Sequence, residues 1–163
     1  MRVALDATYA LDPEPTGVAR YSRRLIAALA AADPDLEMTL AARARRFAAL
    51  RREFPPPRFR HCLLQEPLNL RLPRRVDLFH GLNQRLPRYR FRRLIVTVHD
   101  VFPLADNRYS SPDFRQRFSR LIRDAVARAD AIIAVSGYTR DQLCAHLGVD
   151  PGRVKVKIGR AHV

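Results

Sequence analysis

At 163 residues the chain can hold one full-sized core, so a single domain is expected. Apolar residues at 47% and charged residues at 28% exclude a disordered chain, and the longest apolar run, Leu25 to Ala32, is far short of the roughly 20 residues of a membrane-spanning helix. The net charge of +14 rests on 30 basic residues, of which only Lys155 and Lys157 are lysines. Such a surface suits nucleic acid, an anionic membrane or a phosphorylated ligand; a compositional bias towards Arg, Ala and Pro explains scattered charge equally well.

Met1 to Ala7 reads as a first strand, Val3-Ala4-Leu5, ending at Asp6. A turn-rich loop through Gly17 follows, and from Val18 the period becomes helical, with Val18, Tyr21, Leu25, Leu29 and Ala32 on one face. Leu36 to Ala41 is a second strand, Ala42 to Arg52 a short basic helix, and Phe59 to Leu64 a third strand beyond the Pro55-Pro56-Pro57 connector. A loop covers Arg71 to Arg75; Val76 to His80 is a short strand, followed by a Gly81-Leu82-Asn83-Gln84 loop. The unbroken run Leu94 to Val98 has the pattern of a strand buried on both faces of a parallel sheet. It leads into His99 and Asp100, and Pro103 forbids its continuation, so a loop is expected through Asp106.

Ser110-Ser111-Pro112-Asp113 starts a helix whose apolar stripe is Phe114, Phe118, Leu121, Ile122 and Ala125. Ala131 to Val135 is a buried strand, Thr139 to Leu147 a helix with Leu143 and Leu147 inward and Gly148 at its end, and Arg153 to Lys157 a last strand. The alternation implies a doubly wound parallel α/β sheet, whose ligands bind beyond the carboxyl ends of the strands.

Several residues at those ends can carry chemistry. Thr16-Gly17 ahead of the first helix offers backbone N–H groups to an anion, or simply turns the chain. His99 can donate to a substrate hydroxyl or phosphate, or be satisfied by backbone as a structural histidine. His80 and His99 lack a convincing third metal ligand, and Ser136-Gly137 lacks the G-x-S-x-G elbow of a serine hydrolase. Cys62 and Cys144 have no partner at metal spacing and read as reduced thiols in a cytoplasmic protein. The first apolar stretch is too short for the core of a signal peptide.

Taken in order, the segments Asp77-Leu-Phe-His80-Gly-Leu-Asn83, Val96-Thr-Val-His99-Asp100-Val-Phe-Pro103 and Ala131-Ile-Ile-Ala-Val-Ser136-Gly-Tyr-Thr139 resemble the amino-terminal half of a family 4 glycosyltransferase, in its mannosyltransferase-like branch. Thr16-Gly17-Val-Ala-Arg20-Tyr21 resembles that family's glycine loop and first helix, with Ala19 where a second glycine is frequent. The resemblance covers residues 1–157 and implies the Rossmann-like amino-terminal, acceptor-side domain of a GT-B fold. It implies a retaining transfer of a mannose-like hexose from a nucleotide sugar, itself a substrate, with no resident cofactor or metal.

Carried over, His99 stands beside the transferred sugar as the catalytic residue. Gly17 and Arg20 lie towards the donor phosphates, Asp100 and Ser136 shape the wall, and His80 and Asn83 contact the acceptor, a glycan or a lipid-linked molecule. The expected setting is the cytoplasm, with peripheral contact at the inner face of an anionic membrane. Nucleic acid is not expected as a partner; the rival readings are a basic nucleic-acid-binding domain and a non-catalytic phospho-sugar-binding domain. Residues 158–163 depart from the family pattern and read as a non-native tail, and the chain without a second domain is expected to transfer no sugar.

Overall fold

A computed structural model describes residues 1–14, 16–65, 76–89, 91–106, 108 and 110–157. Pro15, the loop expected over 71–75 and the tail 158–163 lie outside the described residues. Two compact units divide the chain: Met1–Leu82 with Pro87–Arg93, and Asn83–Leu86 with the segment from Leu94 onward.

The first unit is a parallel sheet of β1 (Arg2–Asp6), β2 (Glu37–Arg43), β3 (Arg60–Leu64) and β4 (Leu78–Gly81), in the order β3-β2-β1-β4. Met38 to Ala42 are buried without alternation, as a strand covered on both faces must be. The chain steps outward from β1 to β3 and then returns to the other side of β1 with β4. Its winding therefore reverses between β1 and β4, which is where an open α/β sheet leaves a crevice at its carboxyl ends.

Two helices cover this sheet, α1 (Gly17–Ala32) and α2 (Ala44–Glu53). Leu5, Ile26, Met38, Leu40 and Leu50 form the centre of the core. The buried face of α1 is turned from the expected one: Ala19, Ser22 and Ile26 are buried, while Leu25 and Leu29 pack at its margin. Ala19 and Ser22 let the first half of the helix lie close to the sheet, and Ile26 fills the core beneath its middle. Beyond the end of α1, Arg58 donates to the carbonyls of Ala30, Asp33, Pro34 and Leu36 at 2.8–3.3 Å. It thereby satisfies backbone acceptors that a helix end leaves without intrahelical partners.

The second unit is a parallel sheet of β5 (Leu94–Val98), β6 (Ala131–Ala134) and β7 (Val154–Val156), in the order β5-β6-β7. Its helices are α3 (Phe102–Ala105), α4 (Pro112–Arg128) and α5 (Gly137–Leu147). The loop expected through Asp106 is in fact the short helix α3. Pro103 stops the strand as expected, but it sits in the first turn of a helix, where its missing N–H has no intrahelical acceptor to lose.

The buried line of α4 is Ile122, Ala125 and Val126, leaving Phe114 and Leu121 exposed. Helix α5 starts at Gly137 rather than Thr139 because the Ser136 hydroxyl caps it. It ends at Gly148, whose φ of +62° is the left-handed conformation favoured at a helix C-terminus. Arg153 closes α4 as Arg58 closes α1, donating to the carbonyls of Val126 and Ala129. Seven parallel strands flanked by helices make this the Rossmann-like α/β class read from the sequence. No helix among the described residues is long and apolar enough to cross a membrane.

Candidate functional site

In the first unit the chemistry-bearing groups gather where β1 and β4 end. Asp6 closes β1 and is buried; its Oδ1 accepts the Thr8 amide at 3.0 Å and the Thr8 hydroxyl at 2.5 Å. The Thr8 hydroxyl oxygen also accepts the Arg43 amide at 3.3 Å, tying the end of β2 to the same turn. On the neighbouring strand His80 pairs in register with Leu5 and is only 5% exposed. Burial pushes its pKa down to about 4, so its ring is neutral near pH 7, as desolvation of a cation demands.

Gly17 is the first residue of α1, capped by the Thr16 hydroxyl, which accepts the Ala19 amide at 3.2 Å. A side chain added at Gly17 would meet no protein atom within 4 Å. The leading N–H groups of this helix start supply the electrostatics that favour an anion. Arg20, one turn on, is exposed.

In the second unit the focus is His99, immediately beyond β5 and half-buried. Its backbone is held at both ends. The Gln84 side-chain oxygen accepts the His99 amide at 3.0 Å and the Asp100 amide at 3.3 Å, while the Thr139 hydroxyl donates to the His99 carbonyl at 3.1 Å.

Gln84 itself is fixed by its amide, which donates to the Thr97 carbonyl at 2.7 Å. Its φ of +39° is unusual for a residue with a side chain. Asn83, half-buried, precedes it. Ser136 reaches the same place indirectly: its oxygen accepts the Thr139 amide at 3.0 Å and lies 2.9 Å from the Thr139 hydroxyl. A cap on α5 thus becomes part of the support for His99. Asp100 is exposed, and its Oδ1 accepts the Phe102 amide at 3.2 Å, fastening the start of α3.

A hollow of about 70 Å³ opens beside these residues, lined among others by Asp100, Phe102, Ala105, Tyr138 and Gln142. Within the second unit the structure therefore brings His99, Asp100 and Ser136 to one carboxyl edge. Within the first it places His80 at the end of β4 and Gly17 and Arg20 on α1. Gln84 and Thr139 escaped the sequence reading as site residues. The Ser-x-x-Thr spacing of a helix cap pointed to Thr139, and nothing local pointed to the reach of Gln84. Among the described residues no group of three or more His, Cys, Asp or Glu side chains could hold a metal ion. Cys62 and Cys144 are free; burial raises the Cys62 thiol to about 11.

Comparison with known proteins follows this geometry. Two solved variants of the wall teichoic acid polymerase TagF share the fold. One has a TM-score of 0.59 at 12% identity over 94% of this chain, the other 0.57 at 11% over 95%. In each case the chain spans 37% of that polymerase's length. No curated protein matches the sequence. Residues 15–156 match the family described as Glycosyltransferase Family 4. The chain belongs to that family, and its Rossmann-like sheet matches in fold the amino-terminal half of a GT-B glycosyltransferase.

Proposed function

We propose that the protein supplies the acceptor side of a retaining glycosyltransferase, which moves a mannose-like hexose from a nucleotide sugar to a glycan or lipid-linked acceptor in the cytoplasm. The observation that supports this most is the two-sided hold on His99 at the end of β5. A ring that must stay beside a transferring sugar needs its backbone fixed, because small misplacements of reacting groups are costly.

In this reading the anomeric carbon gives up its bond to the donor phosphate oxygen and gains one to the acceptor hydroxyl oxygen. The hydroxyl proton leaves with the nucleotide diphosphate. The helix start at Gly17, with Arg20 behind it, supplies positive field for the donor phosphates. His99 hydrogen-bonds the sugar, with Asp100 beside it and Ser136 holding Thr139 in place. His80 and Asn83 stand on the acceptor side. The nucleotide sugar is consumed as a substrate, and the scheme uses no resident cofactor or metal. Peripheral attachment to an anionic membrane would bring a lipid-linked acceptor within reach.

The test is transfer from labelled nucleotide hexoses to oligosaccharide and polyprenyl-linked acceptors by a two-domain glycosyltransferase that carries this domain, compared with its His99→Ala variant. Replacement should lower kcat by about 10²-fold or more while the urea midpoint stays close to that of the parent. Equal loss of folding and turnover would make His99 a structural residue and sink the assignment.

A further inference from the structure

The hollow beside His99 has a character at odds with the rest of the chain. In a protein with 30 basic residues, no arginine or lysine is among the described residues that line it. The one acidic or basic side chain among the described lining residues is Asp100. Two aromatic rings border it, Phe102 at 46% and Tyr138 at 70% exposure. Aromatic area left in water at a concavity is available to a ligand. Gln142, one turn beyond Tyr138 on α5, lines the same wall, and its Oε1 pairs with His146 Nε2 at 3.0 Å. With the oxygen so engaged, the amide nitrogen is the group left to donate.

We propose that this hollow is the acceptor subsite and that it takes a neutral pyranose. The apolar face of the sugar would rest on Phe102 and Tyr138, with its hydroxyls on the Asp100 carboxylate and the Gln142 amide. The inference rests on the transfer reaction proposed above and narrows its acceptor. A phosphate group brought here would meet a carboxylate and, among the described lining residues, no arginine or lysine, which costs rather than gains energy. A bare hydrocarbon chain would take the exposed carboxylate and amide out of water and return no hydrogen bonds of its own. A pyranose has one apolar face and an equatorial rim of hydroxyls, and so satisfies both kinds of group.

The experiment sets para-nitrophenyl hexosides against the corresponding hexose 1-phosphates, with saturation-transfer NMR on this protein and on Tyr138→Ala, and turnover in a two-domain glycosyltransferase that carries this domain with and without the same substitution. Tyr138 is exposed enough that the variant should keep the parent's circular dichroism spectrum. The hexosides should bind and accept sugar, and Tyr138→Ala should raise their KM about tenfold, with Tyr138→Phe close to the parent. The donor KM should stay level. Preference for the phosphates, or an unchanged hexoside KM in Tyr138→Ala, overturns the neutral-pyranose subsite and leaves the glycosyltransferase reading intact. Hexoside saturation transfer that disappears in Tyr138→Ala, with no turnover in any pairing, upholds the subsite and overturns the transfer reaction. Absence of hexoside binding overturns the subsite.

Discussion

His80 shows what burial of one ring does to the pH response of the fold. Its pKa falls from 6.5 to about 4 on folding because the charged form is desolvated. Between those values the unfolded chain binds the proton and the folded one does not, so stability rises with pH across that window. The contribution is complete above pH 6.5 and is lost as pH falls towards 4, up to about 3 kcal/mol. Urea titrations from pH 4 to 7 should show a slope that His80→Leu flattens; an unchanged slope would mean that other groups control it. His80 and His99 were both legible as strand-end histidines, since each ends an apolar run. What holds His99 was not legible, because its partners Gln84 and Thr139 are 15 and 40 residues away in the chain.

Among the elements, strands read most clearly, because β2 and β5 carry apolar and β-branched residues without alternation, as a sheet covered on both faces requires. Helix faces read less well. The buried line of α1 runs through Ile26 with Leu25 and Leu29 at its margin, and that of α4 through Ile122 and Val126, which leaves Phe114 and Leu121 exposed. A four-residue helix such as α3 is below what periodicity can register, and Pro103 carries the same message for a loop and a helix start.

The ends of α1 and α4 depend on arginine geometry. Arg58 serves four carbonyls from one planar fork and also lies 5.8 Å from the centre of the Phe59 ring. Lysine offers a single ammonium that cannot span those positions. Arg58→Lys should therefore lower stability by about 1–2 kcal/mol despite retaining the charge, read as a shift of the urea midpoint. No shift would mean that water serves those carbonyls equally well.

For the molecule as a whole, the question is what a net charge of +14 does to folding. Ion pairs exist in both units, among them Arg23–Glu53 at 2.9 Å and Arg128–Asp124 at 2.9 Å. They are solvent-exposed to a degree that leaves each worth about 0–1 kcal/mol. Repulsion among the surplus cations acts over longer distances and is damped once the Debye length falls below about 8 Å. Added sodium chloride should accordingly raise the urea midpoint. A midpoint that falls with salt would show the pairs outweighing the repulsion. The α/β class was legible from the alternation of strand and helix patterns alone, and the family from three short segments in order. The charge gave no guide to the site: the hollow beside His99 is without arginine or lysine among its described lining residues.

The double restraint on His99 carries into the thermodynamics of association. A ligand that meets an already ordered backbone gives up mainly its own freedom on arrival, so less conformational entropy opposes it than at a loop that must order around its guest. Free and occupied forms should then differ at His99 in rotamer rather than in main chain, with displacements within about 1 Å. Discrimination between competing ligands falls to the fixed contour of the wall they land on, and selectivity is written into the folded chain before any ligand arrives.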